Sequence, residues 1–497
     1  MAYYKPYKNS GNKSYYKKPA PVVKVPRQVR NWSTYQHAIF DDIESGVGNT
    51  QVDALAGSGK TSSIVEGSYY VPRGKSTLMC AFNKSIQVEL ASRMREDINV
   101  LTLHALGFRA IRNAFGQKTK VDNDKVDGYI KAEIGDEKEV YELRDNLKKA
   151  VSLAKGYLAD TSEEIDVIMD KHGVDTCENP RPAFIDTVVR LMEACKNDTM
   201  RIDFDDMVWF PNVHSLRLDK HDFVFIDESQ DLNKAQIELA MNSRTPTGRV
   251  VSVGDENQAI YGFRGADEHA IQNIVDRCSS KRLPLSVTYR CAKNIVKLAQ
   301  TLVPELEAFE EAEDGLIDTI SSNKLDTMVK PGDFVLSRIN APLIRWCMAF
   351  LKAGIPANIQ GRDVGKSLEY MIKKSKASDI VGFLSWLSVW RDNEIVRLSA
   401  LRRDFTNVED RYECLIALCE GASTLADVKE NIKKLFSDGD DTNRVMLSST
   451  HKAKGLERDR VFLLKNTYRP SKGQEEKNLY YVAITRARRE LYLVEGI

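Results

Sequence analysis

Ala54-Leu55-Ala56-Gly57-Ser58-Gly59-Lys60-Thr61 is the stretch from which the rest of this 497-residue chain can be read. A small residue, four further residues and then Gly-Lys-Thr is the pattern of a loop that cradles phosphate. Gly57 and Gly59, with Ser58 between them, let the backbone turn tightly and bring its N–H groups against anionic oxygens. Lys60 supplies a point charge for terminal phosphates, and the Thr61 hydroxyl suits a Mg²⁺ ligand. A helix starting near Lys60 would aim the positive end of its dipole at the same anion. A glycine-rich turn with no ligand fits the pattern too, so the flanking sequence has to discriminate.

Upstream, Ser33 or Thr34 can cap a short helix with apolar positions at Ala38, Ile39 and Ile43. Gln36 has the donor and acceptor needed to read an adenine edge, although a surface glutamine would look the same. Downstream, Thr77–Phe82 is a buried-strand run followed by Asn83, and Val100–Ala105 reads as a strand edge. Strand alternating with helix implies an α/β fold with a parallel sheet. From 116 to 199 the pattern turns helical, with Val140, Leu143, Leu147, Val151, Ala154 and Leu158 three or four apart. The sheet resumes at Asp222–Ile226 and ends in Asp227-Glu228-Ser229-Gln230-Asp231. Paired acids at the carboxyl edge of such a strand are what a nucleotide site needs. Asp227 can hold Mg²⁺ through a water, and Glu228 can take a proton from an attacking water.

Composition narrows the class. With 42% hydrophobic and 29% charged residues the chain reads as an ordinary soluble protein of several domains. Its eight cysteines are scattered without metal spacing, which favours reduced thiols in an intracellular, cytoplasmic setting over disulfides or zinc. No apolar run is long enough to span a bilayer. The net charge of +1 conceals an asymmetry: residues 1–30 hold no acid, but carry Lys5, Lys8, Lys13, Lys17, Lys18, Lys24, Arg27 and Arg30 among five tyrosines. That segment reads either as a flexible solvated arm or as an arm that meets nucleic acid, cations on phosphates and tyrosines on bases.

A further series of runs carries a family resemblance. These are the Asp227–Asp231 strand end, Gly254-Asp255-Glu256-Asn257-Gln258-Ala259-Ile260-Tyr261-Gly262-Phe263-Arg264-Gly265-Ala266-Asp267, and Thr288-Tyr289-Arg290. They continue in Thr450-His451-Lys452-Ala453-Lys454-Gly455-Leu456-Glu457 and Leu479-Tyr480-Tyr481-Val482-Ala483-Ile484-Thr485-Arg486-Ala487-Arg488. Together they resemble superfamily 1 helicases of the UvrD/Rep/PcrA type, and the same pattern occurs in F-box DNA helicases. The resemblance implies two RecA-like parallel-sheet motor domains, each with a mainly helical insertion, that close on ATP and Mg²⁺. The expected division puts the first motor at 31–115 and 200–283, interrupted by an insertion at 116–199. The second motor takes 284–361 and 441–497, around a reduced accessory insertion at 362–440.

Residue by residue, the resemblance implies that Gln36 recognises adenine and Tyr289 stacks on it. Lys60, Thr61, Asp227 and Glu228 serve phosphate, metal and base roles, and Gln258 touches the γ-phosphate. Arg290 and Arg486 resemble arginine fingers, a device worth about 10³–10⁵ in rate in other NTPases. Glu457 contacts the ribose. Phe82, Asn83, Thr102, His104, Thr450 and His451 resemble single-strand contacts, and Tyr261 and Phe263 a stacking step. Phe82 as core, and His104 or His451 as satisfied buried histidines, are the structural alternatives. Phe263 stands where UvrD-type proteins carry tryptophan, and the insertion after Arg362 is far shorter than theirs. With the sequence ending just after its last strand, a C-terminal nuclease domain is not expected.

The expected activity is ATP-dependent translocation on single-stranded DNA, 3′→5′, with unwinding of duplex DNA at single-strand/duplex junctions. The expected protein is a monomer in isolation, working among replication or recombination proteins. The alternatives are a translocase that strips proteins from DNA, an RNA-directed relative, and an adaptor with a dead motor. The intact Lys60, Asp227, Glu228, Gln258, Arg290 and Arg486 speak against the last.

Overall fold

Alternation of strand and helix resolves into two separate sheets in the computed structural model, which describes residues 24–27, 30–135, 141–177, 179–262, 265–267, 269–400, 403–437 and 442–496. The first sheet contains β1 (Thr50–Ala54), β2 (Thr77–Ala81), β3 (Ile98–Thr102), β4 (His221–Ile226), β5 (Arg244–Gly254) and β6 (Lys281–Leu285). Their order across the sheet is β3-β2-β4-β5-β1-β6, and every neighbour pair is parallel. The second sheet contains β7 (Leu316–Ser321), β8 (Phe334–Ser337), β9 (Ala357–Gln360), β10 (Phe436–Ser437), β11 (Val445–Ser449), β12 (Arg458–Leu464) and β13 (Ala487–Glu495). Its order is β7-β13-β12-β8-β11-β9-β10, again wholly parallel. This is the expected α/β class with two parallel-sheet domains.

Parallel strands are covered on both faces, and the side-chain alternation along them sorts two cores per sheet. In β2, Met79 and Ala81 join Phe40, Ile43 and Ile64 on one face, while Leu78 and Cys80 join Leu106, Ala110 and Leu239 on the other. In β8, Val335 faces Ile344 and Phe350, while Phe334 and Leu336 face Ile295 and Tyr481. The sequence order fixes what this puts at one edge. The carboxyl ends of β1, β5 and β4, three adjacent strands, deliver the phosphate loop, the Asp255–Gln258 turn and Asp227-Glu228 to one place.

The region 116–199 folds as the helices Lys125–Ile134, Tyr141–Tyr157, Ser162–Lys171 and Arg181–Asn197 around a core of Leu147, Val151, Ala154, Val188 and Met192 that also takes in Ile111, Trp209 and Phe210 of the flanking segments. The helical spacing at Leu147, Val151 and Ala154 is thus a buried seam, whereas Val140 lies outside the described residues. Four helices, Arg362–Lys374, Ile380–Ala400, Thr406–Cys419 and Leu425–Leu435, occupy the second insertion. Leu368, Phe383, Leu415 and Ile432 from these helices share one core with Ile344, Phe350 and Ile359 of the second sheet's layer. The insertion is therefore built onto the sheet and has no separate core. The expected boundary at 283/284 falls inside β6, whose residues 281–285 pair with β1. All eight cysteines are free thiols, and among the described residues no helix is long and apolar enough to cross a membrane.

Candidate nucleotide and single-strand site

The phosphate loop leaves β1 and turns into the helix Lys60–Gly67. Gly57 (φ 73°) and Gly59 (φ 85°) both take left-handed backbone that other residues rarely adopt. A Cβ at Gly57 would also stand 2.6 Å from the Cβ of Arg290, so glycine here lets that arginine reach the loop. The Tyr289 N–H donates to Gly57 O at 2.9 Å, which ties the Thr288–Arg290 segment to the loop. Ser58 is fully buried and its Oγ has no hydrogen-bond partner. An orphaned buried hydroxyl beside open backbone N–H groups fits a cradle made for phosphate oxygens. Thr61 follows Lys60 on the first turn, and its hydroxyl and the Asp227 carboxylate are the kind of oxygen donors that would suit Mg²⁺.

Lys60 Nζ lies 3.9 Å from Glu228 Oε2 and donates to Ala54 O at 3.4 Å. Glu228 holds left-handed backbone (φ 49°, ψ 46°), a strained conformation for a non-glycine that recurs at functional sites. Its N–H bonds Asp227 Oδ1 at 3.0 Å, and the Gln230 side chain donates to its carboxylate. The two acids are driven apart. Burial and the Glu228 charge push Asp227 up. Burial opposes ionisation of Glu228 as well, but Lys60 and then Lys454 hold it below the usual carboxylate range. One group is thus ready to take a proton or a metal, and its neighbour stays charged. The third loop is set by Asp255, which accepts from Gln258 Nε2 at 2.7 Å and from the Asn257 N–H at 3.0 Å.

Two arginines arrive from the other side. Arg486 is 1% exposed; its guanidinium donates to Val482 O (2.8 Å), Leu456 O (3.1 Å) and Thr485 Oγ1 (3.3 Å). Burial and the positive charge of Arg290 lower its pKa to about 9. Arg290 pairs with Glu457 and donates to Thr485 O at 3.3 Å. Lys60 thus faces Glu228 and Arg290 pairs with Glu457, whereas the bonds of the buried Arg486 go to carbonyl and hydroxyl oxygens. Glu457 also receives Arg488 at 2.7 Å, so its carboxylate is engaged by two arginines.

On the base side, Gln36 caps its own helix. Its Oε1 accepts from the Ser33 N–H at 3.0 Å and its Nε2 donates to Ser63 Oγ at 2.9 Å. Of the two expected caps Ser33 is the one used, in a capping box that spends both ends of the glutamine that was expected to face adenine. The residue still abuts the loop, with Nε2 3.6 Å from a Cβ placed at Gly59. Tyr289 is 43% exposed, its ring 5.1 Å from Phe309, so a face is available for stacking.

The expected single-strand residues divide by exposure. Phe82 is exposed and not core. Asn83 and Thr102 use their side chains as helix caps, to the Ile86 and Ala105 N–H groups. His104 stacks on the exposed Phe204 at 4.0 Å, and burial lowers its pKa to about 4, so the ring is neutral. Tyr261 donates to His451 O at 3.2 Å and lies 5.0 Å from Lys454 Nζ. Thr450 departs from expectation: it is fully buried and bonds Tyr468 Oη at 2.5 Å, because packing between β8 and β11 encloses it. Phe263 lies outside the described residues. The basic arm departs in part, since residues 24–27 and 30 pack on the first domain. The Val25 N–H bonds Ser92 O, Arg27 pairs with the buried Glu66 and covers Tyr69, and Arg30 donates to Ser62. A buried carboxylate needs that counter-charge.

Sequence reading gave no role to several residues that join the two halves. Lys454 bonds both oxygens of Asp231 (2.8 and 2.6 Å) and Gln258 O (2.7 Å). Asn478 donates to Glu256 O and Ala259 O, and Tyr481 Oη accepts from the Ala56 N–H. Asp231 and Lys454 sit within the motif runs quoted above, which was the available signal; Asn478 had none.

Comparison with known proteins agrees with this geometry. Residues 36–279 match the UvrD/REP helicase N-terminal domain and residues 363–495 the UvrD-like helicase C-terminal domain. The F-box DNA helicase protein 1 of Schizosaccharomyces pombe is 24% identical over 90% of this chain and 55% of its own length. F-box DNA helicase 1 of Gallus gallus is 22% identical over 90% of this chain and 47% of its own. The ATP-dependent DNA helicase PcrA of Leuconostoc citreum is 24% identical over 80% of this chain and 58% of its own. The chain thus spans about half the length of the curated relatives it matches.

Proposed function

Since the chain belongs to the UvrD/Rep/PcrA type of superfamily 1 helicases, we propose that it hydrolyses ATP to move 3′→5′ along single-stranded DNA and unwind duplex ahead of it. The observation that carries the reading is the approach of Arg290 to Gly57 of the phosphate loop, with the buried Arg486 held beside it through the shared Thr485. ATP would enter with its phosphates on the Gly57–Thr61 amides and Lys60. Thr61 and Asp227 would hold Mg²⁺, which screens the phosphate charges. Glu228 would take the proton of the attacking water as the bond to the γ-phosphorus forms and the bond to ADP breaks. Arg290 and Arg486 would spread the charge of the transferring phosphoryl group. Because both arginines come from the second half of the chain, ATP favours the closed cleft over the open one, and hydrolysis releases that preference. Gln258, three residues before Tyr261 in sequence, would link the nucleotide to the track of Phe82, His104, Tyr261 and His451.

A second reading is a translocase that mainly displaces bound proteins. The second insertion favours it, because four helices sharing a core with the sheet are poorly suited to swing as a unit. One experiment serves both readings: ATP-driven unwinding of 3′-tailed and 5′-tailed duplexes alongside streptavidin displacement from end-biotinylated single strands. Unwinding of only the 3′-tailed duplex is the expected result. Displacement without unwinding selects the second reading, and 5′-tailed unwinding overturns the polarity.

A further inference from the structure

The helix Gln474–Ile484 presents Asn478 and Tyr481, three residues apart and therefore on one face, to the other half of the molecule. Asn478 Nδ2 donates to Glu256 O and Ala259 O, both at 3.0 Å, gripping the turn that carries Gln258. The Ala56 N–H, inside the phosphate loop, donates to Tyr481 Oη at 3.1 Å. Tyr481 is 1% exposed, with its ring packed in the second domain's core. The turn that leaves this helix bears the arginines' supports. The Thr485 N–H and Oγ1 bond Tyr481 O at 3.1 and 2.9 Å. Thr485 O accepts from Arg290, Thr485 Oγ1 accepts from Arg486, and Arg486 Nε bonds Val482 O. A short chain of hydrogen bonds thus leads from a phosphate-loop N–H, through one tyrosine, to both arginines.

We propose that Tyr481 is a positioning residue for ATP hydrolysis: its hydroxyl docks the Gln474–Ile484 helix onto the phosphate loop and sets Arg290 and Arg486 in register with the γ-phosphate. The inference rests on the reading of the site as an ATPase cleft. The bond crosses between the two halves, so it exists only when they are closed, and it therefore favours the state in which hydrolysis occurs. In the open state the Ala56 N–H returns to water at little cost. The tyrosine thereby makes closure depend on the shape of the loop that nucleotide binding itself organises.

Tyr481→Phe keeps the buried ring and removes only the acceptor, so it tests the bond without hollowing the core. In the full chain, DNA-stimulated ATP turnover should fall about five- to tenfold, the effect of one lost hydrogen bond with a buried N–H left unpaired. ADP affinity, which the open loop can supply, should stay within about twofold. The thermal unfolding midpoint should not move. Turnover equal to wild type overturns the proposal, as does a fall in which ADP affinity or the unfolding midpoint drops in parallel, because either marks an ordinary core residue. A wild-type chain without DNA-stimulated turnover refutes the functional reading and the positioning role with it, whereas an active wild type with an unaffected variant refutes the positioning role alone.

Discussion

Replacing Glu228 with glutamine isolates the step on which hydrolysis depends, since the swap keeps shape and removes one charge and one proton acceptor. Burial works against the Glu228 carboxylate, and Lys60, 3.9 Å away, is the main group that keeps it ionised. At an effective dielectric of about 20, two unit charges about 4 Å apart attract by roughly 4 kcal/mol before desolvation is subtracted. Glu228→Gln frees Lys60 from that attraction, so the lysine meets incoming phosphates without a competitor and nucleotide binding should hold or tighten. Chemistry should respond in the opposite direction. A positioned general base contributes about 10²–10⁴ in rate, or about 3–5 kcal/mol of barrier. The assay pairs single-turnover ATP hydrolysis at saturating oligo(dT) with the equilibrium Kd for Mg·ATP. The expected pattern is a loss of hydrolysis within that range with an unchanged or lower Kd. Hydrolysis within about tenfold of wild type would place the base elsewhere. A Kd that rose by the factor lost in rate would show Glu228 to be a loop-supporting residue instead.

Burial raises Asp231 to about 6 against the pull of Lys454, compared with about 3.9 for a free aspartate. A raised folded-state pKa means that this group's stabilising contribution is complete below about pH 4 and is lost as pH rises through about 6. The unfolding midpoint of wild type relative to Asp231→Asn should therefore decline between pH 4 and 6; a difference that grows with pH refutes the assignment. For the arm, deleting residues 1–23 removes Lys5, Lys8, Lys13, Lys17 and Lys18 while sparing the Arg27–Glu66 anchor. Single-strand affinity should weaken and its salt dependence flatten, and an unchanged salt slope would make the arm a passive tail.

Much of the architecture was legible because it is local. The β1 turn with its glycines, the Ser33 cap, the buried alternation of β2 and the acids ending β4 each depend on neighbours within a few residues, so spacing and residue type suffice. The candidate site was legible for the same reason: its parts are short runs at strand ends, and a parallel sheet gathers strand ends at one edge. What spacing could not assign was the partner of each polar side chain. Lys125 and Lys155, to which spacing gave no role, are buried, Lys125 against Asp206 and Lys155 against Asp203 and Asp206. Gln36 bonds its own helix cap and Ser63, and Thr450 turns inward to Tyr468.

By itself, then, the sequence determined a parallel α/β sheet and a phosphate loop with its paired acids, since each is encoded by periodicity and by residue types a few positions apart. The second sheet was implied by the motif resemblance. The tertiary structure alone decided that Ala56 meets Tyr481 across 425 residues, that Lys454 ties Asp231 to the other half, and that Arg486 is buried against the oxygens of Val482, Leu456 and Thr485. Those contacts join segments with no local relation. They form because closing the chain around its cores excludes water from polar groups, and each such group must then take the partner that packing brings within reach.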